Sequence, residues 1–106
     1  MVLRISELLN DLGLWDIQFR IHATQRMFQR NIGHHELVAI LKMGMVVEQY
    51  PEDTPFASLL VSGVTESQRP LHAVIALNES EKIIFVITVY EPEPLKWAEN
   101  FSRRIK

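Results

Sequence analysis

The chain has 106 residues, 47% of them hydrophobic and 23% charged, the make-up of one globular domain around a single core. That composition excludes collagen-like and disordered chains, and the absence of cysteine excludes disulfides, thiolate metal sites and a cysteine nucleophile. With 11 Lys and Arg against 13 Asp and Glu the formal net charge is −2, which argues against a uniformly basic nucleic-acid coat but leaves room for a local cationic site.

The N-terminal stretch from Met1 to Gly13 alternates apolar residues with Arg4, Glu7 and Asp11. It lacks the continuous apolar segment of a secretory signal. No run approaches the roughly 20 apolar residues of a membrane span, so a soluble cytoplasmic protein is expected. Leu3, Ile5, Leu8, Leu9 and Leu12 recur at helical spacing and predict a short helix over residues 4–12, with Gly13 placed to cap it. Ile17, Phe19 and Ile21 alternate with polar residues, as in a short strand or an extended lead-in. Residues 22–30 read as helix with Ala23, Met27 and Phe28 inward, and Asn31-Ile32-Gly33 breaks it. A further helix is predicted over residues 34–43, stopped by Gly44.

The second half changes character. Residues 45–50, 56–62, 71–77 and 83–90 are alternating or β-branched runs separated by turn-rich pieces. Four strands with short connections imply an antiparallel meander, and residues 83–89, apolar on both faces except at Thr88, suit a central strand. Glu91-Pro92-Glu93-Pro94 ends the ladder, and residues 95–103 read as a short C-terminal helix with Trp97 as a lid on the sheet. Helices first and strands later give an α+β class: N-terminal helices packed on a twisted four-stranded antiparallel sheet, in a single domain.

His22, Arg26 and Arg30 are spaced by four and form one helical stripe. Residues 19–35 hold three arginines and no acid. Arginines at i and i+4 repel by a few tenths of a kcal/mol, so the stripe suits a bound anion, phosphate or carboxylate. The plainer reading is a solvated helix face whose arginines snorkel or pair with the acids at Glu48, Glu52 and Asp53. His34 and His35 are adjacent and point about 100° apart on a helix, too far to share one ion. They read as first-turn residues, and no metal or cofactor is expected.

Arg69-Pro70-Leu71-His72 opens one strand and Thr88-Val89-Tyr90 closes the next. An odd-numbered turn would place His72 opposite Thr88 and Pro70 opposite Tyr90, with the three polar side chains on one face. A slip of one residue would separate them. Each also reads simply as a buried histidine or a favoured strand residue.

Three of these segments together carry a resemblance: His22-Ala23 with Arg26 and Arg30, then Arg69-Pro70-Leu71-His72, then Ile87-Thr88-Val89-Tyr90-Glu91-Pro92 followed by Trp97. In that order they resemble a family of small bacterial proteins described as domain of unknown function 4258. The resemblance covers residues 19–97 and leaves out residues 1–16. That family is similar to the RelE-like and MqsR-like ribonuclease toxins, which implies a RelE/barnase-like fold, an RNA substrate and an antitoxin partner with a small zinc-finger domain.

Metal-independent RNA cleavage needs a base for the 2′-OH, an acid for the leaving 5′-oxygen and cations for the phosphorane. Candidates exist for each part: His22, His72 and Tyr90 for proton transfer, Arg26, Arg30 and Arg69 for the phosphate, and Thr88 for orienting the scissile group. The alternative is a non-catalytic protein-binding module of the same fold. The net charge of −2 suits that alternative, and the two are separated by whether His22, Arg26, His72 and Tyr90 converge on one concave face, dispersed side chains counting against the nuclease.

Overall fold

The computed structural model describes residues 3–93, together with the backbone of Trp97–Ala98 and Arg103–Arg104. Three helices, α1 (Ile5–Leu9), α2 (Ile21–Gln29) and α3 (His34–Met43), precede most of the strands. The strands are β1 (Asp16–Phe19), β2 (Met45–Tyr50), β3 (Ser58–Val64), β4 (Pro70–Asn78) and β5 (Ile83–Tyr90), and they form one sheet in the order β1-β5-β4-β3-β2. The α+β arrangement and the β2-to-β5 antiparallel meander agree with the sequence reading.

The sheet nevertheless has five strands rather than four. The residues 16–19 left open as strand or lead-in pair with β5 in parallel, Asp16 beside Ile83 and Phe19 beside Val86. β5 therefore lies inside the sheet, as its two-sided apolar sequence requires. The helix predicted over residues 4–12 is also shorter. α1 ends at Asn10, which takes a positive φ of 72°, and Leu12–Leu14 forms a separate 3₁₀ turn capped by Asp11, whose carboxylate accepts from the Gly13 amide at 2.9 Å. The carbonyl of Leu3 accepts from Val46 N and the amide of Ile5 donates to Gly44 O, so the leading segment is stitched to the start of β2. The helix expected over residues 95–103 falls largely outside the described residues. Where it is described, Trp97–Ala98 (β6) and Arg103–Arg104 (β7) pair as short antiparallel strands.

All three helices pack on one face. α2 lies on β5, α3 lies on β3, and α1 packs against α3. Ile5, Met27, Leu37, Ile40, Leu41, Val61, Ile75 and Val86 are buried together between the layers. Full burial of each such side chain contributes about 1.5–3 kcal/mol. α3 comes close to the sheet at Gly63, where an added Cβ would lie 2.8 Å from Ile40 Cβ and 2.9 Å from its Cγ2. Gly63→Ala is therefore expected to push α3 off β3 and destabilise the fold by about 1–3 kcal/mol. A chemical-denaturation midpoint equal to that of the wild type would contradict this close approach.

Strand alternation puts Leu59, Val61, Leu71, Ala73 and Ile75 on the helix-covered face. Ser58, Leu60, Ser62 and His72 point to the other face, where they too are buried. Phe56, predicted as the first residue of its strand, lies outside the ladder and stacks on Phe85 with ring centroids 5.6 Å apart.

Candidate functional site on helix α2 and the β4–β5 hairpin

The candidate side chains fall into two groups on opposite faces of the sheet, rather than converging. The first group is carried by α2. Ala23 and Met27, four apart, are its buried residues, which turns His22 and Arg26 outward to solvent. Neither side chain makes a hydrogen bond or ion pair among the described residues. Arg30, one turn on, caps the helix, and its Nη1 donates to Val89 O of β5 at 2.8 Å. Arg20, at the other end of α2, places its guanidinium over the Phe85 ring at 4.7 Å. The arginine-rich segment thus contains two arginines engaged with the sheet and one, Arg26, beside His22 in solvent.

Arg69 is also engaged. It precedes β4, and its guanidinium reaches the turn joining α2 to α3. Nη2 donates to Arg30 O at 2.8 Å and Nη1 to Asn31 O at 2.6 Å. Nη1 also lies 3.4 Å from Glu36 Oε1, and Nε donates to Glu91 Oε1 at 2.5 Å. Glu36 Oε1 in turn accepts the Gly33 amide at 2.9 Å, capping α3. The planar fork of arginine fits this set of carbonyls and carboxylates, and a cation suits the C-terminal end of α2. Residues 38 and 39 positions apart in the chain are held together this way, a contact that no local pattern announces.

The second group sits on the far face. His72 is fully buried and pairs in register with Tyr90, while Thr88 pairs with Val74. This replaces the expected pairing of His72 with Thr88 and of Pro70 with Tyr90. Two features move the register. The turn between Asn78 and Ile83 has an even number of residues, with Glu81 N bonded to Asn78 Oδ1 and Lys82 at φ 56°. A bulge then leaves Ile87 unpaired, because Val74 meets Thr88 while Ile75 meets Val86. The two shifts together total two residues, so His72, Thr88 and Tyr90 still share a face, as the sequence reading required. Tyr90 Oη lies 3.4 Å from His72 Nδ1, and the rings meet edge to face at 5.6 Å. Trp97, expected as a lid here, has its side chain outside the described residues.

Sequence reasoning missed one surface feature. Phe28, assigned to the buried side of α2, is 87% exposed, and Ile21 is 75% exposed. The signal was present in the helix phase. With Ala23 and Met27 inward, Phe28 stands about 100° further round. His34 stacks on Phe19, centroids 3.8 Å apart and rings parallel within 5°. Among the described residues no group of three or more His, Asp and Glu is arranged to hold a metal, and no helix is long and apolar enough to cross a membrane. A groove of about 840 Å³ runs beside α3, lined by Val38, Met43, Val64 and their neighbours. It contains none of the candidate residues.

No curated protein and no solved structure matches the chain. A family model does match, over residues 19–91, a span that takes in α2, the Arg69 clamp and the whole β4–β5 hairpin. The chain therefore belongs to the family described as domain of unknown function DUF4258.

Proposed function

We propose that the protein is a metal-independent endoribonuclease of the RelE-like and MqsR-like toxin type, with His22 as its proton-transfer group and Arg26 as its phosphate ligand. The observation that supports this reading is the pairing of those two side chains. They lie one turn apart, both in solvent, in a segment without a single acid. Imidazole is the side chain suited to proton transfer near neutrality, and guanidinium holds a phosphate in two-point contact. His22 would take the 2′-OH proton, the 2′-oxygen would attack phosphorus, and the P–O5′ bond would break with the leaving oxygen protonated from solvent. Arg26 would face the charge that builds on the phosphorane. The sheet lies between His72 and Tyr90 and the helix α2, so the four candidates do not converge as a shared nuclease centre requires, and what is proposed is a reduced site of His22 and Arg26 alone. Arg30, Arg69 and Thr88 act through the scaffold.

A non-catalytic protein-binding module is the second reading. It is favoured by the placement of the candidates on two faces of the sheet, by the burial of His72 and by the exposed Ile21 and Phe28 on α2. A zinc-finger antitoxin would be a partner under either reading. Induction of the chain in a bacterial host separates the two. Growth arrest with loss of messenger RNA is the expected result, and Arg26→Ala is expected to slow cleavage on the order of 10²-fold and to relieve the arrest. Normal growth with intact messages would favour the binding module.

A further inference from the structure

The exposed half of α2 is laid out in three strips. At about 100° per residue, Ile21 and Phe28 fall two turns apart on one edge, His22 and Arg26 on the other, and Gln25 and Gln29 between them. All six are exposed, Phe28 at 87%. A phenyl ring this bare is unusual on a helix whose neighbouring charges are all positive. We infer that α2 is a platform for single-stranded RNA, with a splayed base stacked on Phe28, base edges met by the amides of Gln25 and Gln29, and the adjoining phosphate held by Arg26. This deepens the ribonuclease reading above and rests on it.

Three physical points choose the occupant. The cationic edge calls for an anionic ligand, since residues 19–35 contain no acid. Aromatic rings bind unpaired bases through their π-faces, whatever the base. Glutamine amides donate and accept, as base edges require. A duplex does not fit the same surface. A-form RNA keeps its bases stacked inside and its major groove too narrow for side chains, so Phe28 would meet only backbone. An acidic amphipathic peptide would satisfy Arg26 and Ile21 but would leave the amide strip without a role.

The test uses the full chain and a fluorescein-labelled 12-nucleotide 2′-O-methyl RNA, which cannot be cleaved, either single or annealed to its complement. Anisotropy titration is expected to show at least tenfold tighter binding of the single strand. Phe28→Ala should weaken that binding roughly 5- to 150-fold and leave duplex binding unchanged, while Phe28→Tyr should retain it. Arg26→Ala should instead lower the slope of log K against log salt by about 0.7. An exposed side chain contributes little to folding, so Phe28→Ala should keep the wild-type thermal midpoint. Equal affinity for both RNA forms, or wild-type binding and cleavage by Phe28→Ala, would overturn the platform while leaving the nuclease reading intact. Absence of both binding and cleavage by the wild type would remove both and leave the face to a protein partner.

Discussion

His22→Ala is expected to lower RNA cleavage by roughly 10²–10⁴-fold, the range for loss of a positioned acid or base, while leaving the thermal midpoint near that of the wild type. The two halves of this expectation have separate causes. His22 is in solvent on α2, so its removal costs no packing, and alanine is a better helix former than histidine. The loss of rate follows from the proposal that His22 is the proton-transfer group. The other buried or engaged candidates cannot substitute for it, since His72 is enclosed on the opposite face and Arg30 is bonded to Val89 O. His72→Ala makes the informative contrast. It should destabilise the fold by opening a cavity, and the residual folded protein should cleave at the wild-type rate per molecule. A variant at His72 that stays folded but loses cleavage, beside a fully active His22→Ala, would reverse the assignment.

Arg69→Ala is expected to destabilise the protein by about 2–4 kcal/mol, because hydrogen bonds to charged groups contribute about 1.5–3 kcal/mol each and this side chain makes several. Partial exposure, 22% for the Arg69 side chain, lets water take over some of the vacated partners and holds the loss below the sum. The thermal midpoint should fall by roughly 10–25 °C. Lysine should restore less than half, since one ammonium cannot span the carbonyls of Arg30 and Asn31 and also reach Glu36 and Glu91. Arg69 would instead be a phosphate ligand if Arg69→Ala left the midpoint unmoved and weakened RNA binding.

The elements legible in the sequence were those whose ends carry local chemistry. α3 runs from His34 to Met43 between Gly33 and Gly44, and β2 and β5 fall on residues 45–50 and 83–90 as their patterns indicate. What was not legible depends on partners remote in sequence. The parallel pairing of β1 with β5 is a tertiary fact, since Ile17 and Phe19 alternate in the same way in either a strand or a lead-in. The partner of His72 was set by an even turn and by the bulge at Ile87, neither of which has a strong sequence signature. Phe28 is hydrophobic yet exposed, because helix phase, not hydrophobicity, decides which side it takes. The arginines show the same limit. Their spacing gave the stripe, but only the approach of Val89 and of the α2–α3 turn shows that Arg30 and Arg69 are occupied while Arg26 is not.

The central claim is that His22 and Arg26 form a nuclease surface that works without metal, and the termini of the RNA products test it most directly. Attack by the 2′-oxygen leaves a 2′,3′-cyclic phosphate on one fragment and a 5′-hydroxyl on the other. Incubation of messenger RNA with the purified protein and excess chelator, with and without ribosomes, should yield those termini for the wild type and for folded His72 variants, and not for His22→Ala. Intact RNA under every condition, or the same termini at the same rate from His22→Ala, would contradict it.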